Sequence, residues 1–129
     1  MLSEGIRFPL GVASAGLAIL SFLPDHDVEA YLERHPELEQ RWGRQHGDGP
    51  LRQRLRETKA RGYALNPGLI VEGSWGIGAA VFDRAGKPEW ALSLTGAEFR
   101  FGPDRLPQLG RTLLAHAHQL SSRIAGARR

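Results

Sequence analysis

Between Gly73 and Gly96, apolar and small residues alternate along two runs joined by a polar break. Trp75 to Phe82 is the first run and Glu89 to Thr95 the second. Asp83-Arg84-Ala85-Gly86-Lys87-Pro88 between them holds the Gly and Pro of a turn, which predicts a β-hairpin. Side chains alternate between the two faces of a strand. The simplest register pairs Phe82 with Glu89, Ala80 with Ala91, Gly78 with Ser93 and Gly76 with Thr95. One face then carries Trp75, Ile77, Ala79, Val81, Trp90, Leu92 and Leu94, a packing surface. The other carries Gly76, Gly78, Ala80, Ala91, Ser93 and Thr95, closed off by Phe82.

Helical periodicity surrounds this hairpin. Leu17 to Leu23 reads as a buried helix stopped by Pro24, after a small-residue segment, Val12 to Gly16, suited to tight turns. A short strand is predicted over Ile6 to Leu10. Asp25 can cap a helix to Arg34, with Val28, Tyr31 and Leu32 on one side, and Glu37 to Trp42 adds a turn or two. Gly43 to Gly49 reads as a loop. Pro50 suits the first turn of a helix to about Arg61, with Leu51, Leu55 and Thr58 inward and Gly62 at its end. Tyr63-Ala64-Leu65 starts a short strand, and Asn66-Pro67-Gly68 is a turn signal. Leu69 to Glu72 leads into the hairpin, and a loop from Ala97 to Pro103 follows it. Asp104 can cap a last helix, where Leu106, Leu109, Leu113, Ala117, Leu120 and Ile124 share one stripe with Leu114 alongside. Helices before and after an antiparallel hairpin predict an α+β domain.

The length of 129 residues suits one domain, and the apolar fraction of 41% is adequate for one core. The chain has no cysteine, which excludes disulfides and zinc-thiolate sites and fits a reducing cytoplasm. Phe8 to Leu23 is shorter than the roughly 20 apolar residues of a membrane span, and it holds two Gly and two Ser between Pro9 and Pro24. It reads as a core element of a protein without membrane contact.

The net charge of +3 is mild. The basic helix Leu51 to Arg61 raises the question of nucleic acid, but its Arg residues form no single stripe, Glu57 dilutes them and no aromatic is interleaved. A solvated face accounts for it. His116 and His118 are two apart on a helix and point to different sides, so they cannot share a metal, and His26, His35 and His46 show no paired ligand pattern. Ser14, Ser74 and Ser93 have no recognisable base, and no G-x-S-x-G elbow or G-x-G-x-x-G loop is present. These absences predict no catalytic residue, no metal, no cofactor and no enzyme activity.

The small-residue face is the functional clue. Glycine inside a strand marks close approach by a ligand or by another backbone. Gly76 and Gly78 beside Ser93 and Thr95 either leave a ligand-sized hollow with two hydroxyls in it, or form a flat patch on which a helix packs.

Three motifs, in order and with compatible spacing, carry a resemblance. The first runs from Pro9 through Leu10-Gly11-Val12-Ala13-Ser14-Ala15-Gly16 to Pro24. The second is Arg61-Gly62-Tyr63-Ala64, followed by Gly73 and by Gly78-Ala79-Ala80-Val81-Phe82-Asp83. The third is Leu92-Ser93-Leu94-Thr95-Gly96, with a closing helix that contains Leu109-Gly110 and ends Leu120-Ser121-Ser122. Together they span nearly the whole chain, which resembles the effector-binding domain of the IclR family of bacterial transcription regulators.

That resemblance implies a GAF- or PAS-like fold, a curved antiparallel sheet flanked by helices. It implies a pocket between the sheet and the loop leading into the helix of the first motif, where loop amides and sheet hydroxyls hold a small carboxylic acid. Carried over by position, the loop residues are Ser14 and Ala15 and the hydroxyls Ser93 and Thr95. Asn66 stands where a ligand-contacting Asp can occur, and Gly76 where a Cys can occur. Leu17 replaces a common Lys and Gly11 a common His, which implies a roomier, less polar pocket. The expected effector is a bulkier or partly aromatic acid, stacking on Phe82 or a nearby Trp. Gly76 and Gly78 would supply the space. The family's helix-turn-helix and the first strands of the domain have no counterpart in the chain. The expectation is therefore a fragment or stand-alone remnant that makes no direct nucleic-acid contact and has an unpaired sheet edge that favours a homo-oligomer. The alternative is a structural or oligomerisation module of the same fold without a pocket.

Overall fold

A computed structural model describes residues 14–42, 44, 47–67, 74–97 and 104–126. The expected strand at Ile6 to Leu10, the segment Leu69 to Glu72 and the loop carrying Phe99 and Phe101 lie outside these residues.

Helix α1 (Ser14–Ser21) comes first, then α2 (Asp25–Arg34), α3 (Leu38–Trp42) and α4 (Asp48–Arg61). Strands β1 (Ala64–Pro67), β2 (Ser74–Phe82) and β3 (Pro88–Ala97) follow, and α5 (Leu106–Gly126) closes the described chain. The strands form one antiparallel sheet in the order β1-β2-β3.

Helix α1 ends where its sequence turns against it. The Ser21 hydroxyl donates back to the Leu17 carbonyl at 2.6 Å, a bond that competes with the helix ladder. The Phe22 and Leu23 amides then close tight turns onto Ile19 and Leu20, and Pro24, with no N–H, starts α2. Asp25 does not cap α2. Pro24 holds the cap position, without a side-chain bond, and the Asp27 and Val28 amides donate to its carbonyl. Asp25 and Asp27 still favour the positive end of that helix. Helix α4 starts at Asp48, inside the segment read as a loop, because Asp48 pairs with Arg52 one turn on. Gly62 ends α4 at φ 98°, a conformation glycine adopts without strain, and its amide donates to the Thr58 carbonyl at 2.7 Å.

The hairpin register agrees with the expected one at Gly76–Thr95, Gly78–Ser93 and Ala80–Ala91. It departs at the end, where a shift between Val81 and Phe82 sets Phe82 opposite Pro88 and not Glu89. The Phe82 amide donates outside the ladder, to the Ser121 hydroxyl of α5 at 2.9 Å, and Pro88 opposite has no N–H of its own to give. Asp83 builds the turn, its Oδ1 accepting from the Ala85 and Lys87 amides at 2.9 Å each. Asn66 and Pro67 continue β1, because each pairs with β2, so the turn expected there does not begin at Asn66.

Two layers of helix sandwich the sheet. On one face Ile77, Ala79 and Val81 are buried with Tyr63 and with Ala117 of α5, and Leu106, Leu109, Leu113, Leu114 and Ile124 pack around them. Leu120, placed in the same stripe, is 37% exposed at its margin. On the other face Ala64 and Ala80 join Leu17, Ala18 and Leu20 of α1, with Tyr31, Leu38, Leu51 and Leu55 of α2 to α4 behind them. The predicted packing face is fully covered only at Ile77, Ala79 and Val81 of β2. On β3, Trp90 is 51% and Leu94 41% exposed.

Candidate functional site

The sheet register aligns the sequence-predicted residues in two adjacent rows on one face. Asn66, Gly76 and Thr95 are consecutive across β1, β2 and β3, and Ala64, Gly78 and Ser93 form the next row. Directly opposed residues in antiparallel strands point to the same face, here the one that α1 covers.

The first residue of α1 stands over these rows. A Cβ built on Gly76 would lie 3.2 Å from Ser14 Oγ, 3.5 Å from Thr95 Oγ1 and 3.6 Å from the Leu94 carbonyl oxygen. Two hydroxyls from different elements thus converge on the bare Gly76 backbone. A Cβ on Gly78 would lie 2.6 Å from the Ser14 carbonyl oxygen, 2.8 Å from its carbon and 3.0 Å from the Ala15 nitrogen. The space over Gly78 is therefore occupied by the α1 main chain. This corrects the expected hollow, because at Gly78 the missing side chain serves close helix-to-sheet approach, as the flat-patch reading had it.

Ser14 is 7% exposed and Asn66 9%, whereas Ser93 and Thr95 are exposed. The structure thus brings Ser14, Ala15, Gly76, Gly78 and Thr95 together, sets Asn66 beside Gly76 as a buried row member, and leaves Ser93 at the open margin. Ala64, which shares a row with Gly78, escaped the sequence reading. A small residue next to Tyr63 at the start of a strand was the available signal.

The first turn of a helix leaves backbone N–H groups without intrahelical partners, and the peptide dipoles place partial positive charge there. The described end of α1 at Ser14 thus sits over the Gly78 row, and its Ser14 hydroxyl joins that of Thr95 over Gly76, a pair of hydroxyls suited to an anionic group. Among the described residues, no group of His, Cys, Asp and Glu has metal-ligand geometry, and no helix is long and apolar enough to cross a membrane.

Among the described residues, three further clefts lie elsewhere. One, of about 160 Å³ between α2 and α4, has Asp25 and Glu29 facing Arg52, Arg56 and Lys59. Arg52 is engaged there, donating to Glu29 at 2.6 and 2.8 Å and to Asp48 at 2.7 Å. The hydrogen bonds from Arg52 hold the Glu29 carboxyl below its ordinary value of 4.5, and those to Glu29 and Asp48 raise Arg52. A second, of about 180 Å³, adjoins α3 with Glu39 and Asp48 in its wall. The third, of about 190 Å³, is floored by Phe22, Ala80 and Phe82. Phe82 therefore belongs with Phe22, their ring centroids 5.6 Å apart in an edge-on pair, at the opposite end of α1 from Ser14.

The family described as bacterial transcriptional regulator IclR C-terminal matches residues 1–122. The chain belongs to this IclR C-terminal family. Among its relatives, the HTH-type transcriptional regulator KipR of Bacillus subtilis (strain 168) is 30% identical over 120 residues, which is 93% of this chain and 48% of that protein. The chain spans about half the length of the curated relatives it matches. The repressor BlcR of Agobacterium tumefaciens superposes with a TM-score of 0.82 at 27% identity, over 96% of this chain and 51% of that one. The C-terminal domain of the E. coli transcriptional regulator KdgR does so with 0.80 at 25%, over 94% and 74%. The IclR relatives are transcription regulators. The fold is that of the IclR C-terminal domain.

Proposed function

We propose that this IclR C-terminal domain senses a small organic acid at the start of α1. The effector's carboxylate accepts hydrogen bonds from the hydroxyls of Ser14 and Thr95, with the N-terminal end of α1 at Ser14 and Ala15 lending partial positive charge. Gly76 gives it room, Asn66 adds a polar group from the neighbouring strand, and Ser93 borders the open side. Gly78 acts indirectly, by letting α1 sit low enough on the sheet for its N-terminus to reach this row. The observation that carries the reading is the convergence of Ser14 Oγ and Thr95 Oγ1 on Gly76. A ligand that favours one position of α1 shifts the equilibrium of the larger assembly toward the state with that position.

A thermal-shift screen of aliphatic and aromatic monocarboxylic acids tests this, since a ligand that binds only the folded protein raises its melting temperature. The reading expects at least one acid to stabilise the chain, and Ser14→Ala and Thr95→Val to remove that shift while leaving the unliganded melting temperature near the parent's. Stabilisation by no acid would favour the second reading, a pocketless assembly module, which the closed contact over Gly78 supports.

We further propose that the domain self-associates along β3. In the described sheet β3 has a strand on one side only, and Trp90 and Leu94 present apolar surface beside it. Light scattering coupled to size exclusion should give more than the monomer mass, and Trp90→Glu with Leu94→Lys should return it to monomer. A monomer before substitution refutes self-association.

A further inference from the structure

The cleft at the far end of α1 differs from its neighbours in charge. Its charged or ionisable walls are Lys59, Arg61 and His118, and no carboxylate lines it. The other two clefts described above have acidic side chains in their walls, and in the α2–α4 cleft, whose wall Lys59 also joins, Glu29 already engages Arg52. Among the described residues Lys59 has no ion-pair partner. Arg61 is held at the rim from behind, its Nε donating to the Tyr63 carbonyl at 3.1 Å and its guanidinium lying 5.1 Å from the Tyr63 ring centroid.

The floor is apolar. Phe22 and Phe82 meet at an interplanar angle of 81°, forming a corner, and Leu114 closes one side. Aromatic rings favour edge-to-face and offset contacts, so a corner of this kind accepts a third ring. The volume of about 190 Å³ compares with about 150 Å³ for an apolar protein cavity that holds benzene. One ring fits, with space for one small substituent.

We propose that this cleft is a second ligand site, for a single-ring aromatic carboxylate, with the ring against Phe22 and Phe82 and the carboxylate toward Lys59 and His118. It shares no residue with the Ser14 site and stands whether or not that site binds an effector. The Lys59 and Arg61 charges offset the negative end of α4, which otherwise disfavours an anion there.

Benzoate is the probe, with benzamide as its uncharged counterpart, read by amide chemical shifts on the isotope-labelled chain. The expected result is saturable shifts at Lys59 to Gly62, Phe82 and Leu114 to His118 with benzoate, and weaker ones with benzamide. Lys59→Gln should weaken benzoate binding about two- to fivefold, the scale of one exposed charge contact. Ala60→Trp, at an exposed position on the wall, should fill the cleft and abolish binding, with the parent's amide spectrum elsewhere showing that the fold is intact. Shifts confined to Ser14, Gly76 and Thr95, and unchanged in Lys59→Gln, would overturn the second site while supporting the first. Absence of saturable shifts, or equal binding of benzamide, would overturn it as well.

Discussion

Placing a methyl group on Gly78 separates the two roles assigned to the glycine face. The Gly78→Ala Cβ would sit 2.6 Å from the Ser14 carbonyl oxygen, and the atoms it meets belong to helix backbone and cannot rotate away. Restoring an ordinary contact requires α1 to lift by roughly 0.8 Å, which forfeits a quarter to a half of the dispersion energy along the gap. Leu17, Ala18 and Leu20 of α1 are each no more than 2% exposed, so they would lose contact together. Overpacking of this kind costs about 1–3 kcal/mol. Replacing Gly by Ala in a strand returns about 0.5–1 kcal/mol. The net expectation is a loss of about 1–2 kcal/mol, or about 3–10 °C in melting temperature at this chain length. Gly76→Ala is the internal control. Its Cβ meets Ser14 Oγ at 3.2 Å and Thr95 Oγ1 at 3.5 Å, and side-chain hydroxyls can turn aside. Stability should stay within about 0.5 kcal/mol of the parent, while binding of any stabilising acid falls because the methyl stands between its two hydroxyl donors. Urea titrations of both variants give the comparison, through midpoints at an unchanged slope. Equal stability of Gly78→Ala and the parent, or a larger loss in Gly76→Ala, would refute the assignment of Gly78 to helix seating.

Three further expectations concern the frame around the site. Gly110→Ala places its Cβ within 2.6 Å of Tyr63 Cε1 and nearer still to Cζ, so it should destabilise by about 1–2 kcal/mol net of the gain in helix propensity; a double-mutant cycle with Tyr63→Leu should recover part of that loss, and strict additivity would show that the ring is not the obstacle. Thr58 is fully buried and its hydroxyl has no partner among the described residues, so Thr58→Val should stabilise by about 1 kcal/mol, a gain that denaturant titration can read and that a loss would refute. The bond from Arg52 depresses the folded-state pKa of Glu29 below 4.5, so its stabilisation is present above that value and is lost as pH falls through the depressed one; Glu29→Gln should flatten the acid limb of the stability–pH curve, and an unchanged limb would remove this pair from acid unfolding.

Much of the fold is written locally. The hairpin follows from period-two alternation on either side of a Gly- and Pro-bearing break, and α5 from a stripe of Leu and Ala at helical spacing. Each signal contains its own partner or its own face. The Val81–Phe82 bulge is not local, because it depends on Ser121, 39 residues away, to accept the amide that the ladder loses. The start of α4 at Asp48 likewise depends on Arg52 one turn later, against the impression given by five polar or glycine positions before it.

At the candidate site, alternation alone places Gly76, Gly78 and Thr95 on one face, and the motif resemblance places Ser14 and Ala15 above them. What occupies the space over a glycine is a tertiary fact. Both glycines look alike in sequence, yet one faces side-chain hydroxyls and the other a helix backbone. The same limit applies to Phe82. Its place at the end of the small-residue face suggested stacking on the effector, but the strand carries it along the face to Phe22, past the C-terminal end of α1.

That geometry makes α1 the element through which events at one end reach the other. Its eight residues span about 12 Å. Ser21 ties back to Leu17 inside the helix, and Phe22 and Leu23 are tied to its last carbonyls. A helix gripped along one side by the buried side chains of Leu17, Ala18 and Leu20 tilts or lifts as a unit more readily than it bends, because bending breaks ladder bonds in an apolar layer. Gly78→Ala should therefore perturb amide shifts at Phe22 and Phe82 as well as at Ser14 to Leu17, and should change benzoate affinity in the Phe22 cleft. Shifts that die out before Ser21 would show α1 fraying at its first turn, and the two ends of the helix would then be energetically separate. If the shifts do reach Phe22, linkage requires the reverse effect too: a ring seated on Phe22 and Phe82 must alter acid binding at Ser14 by the same factor.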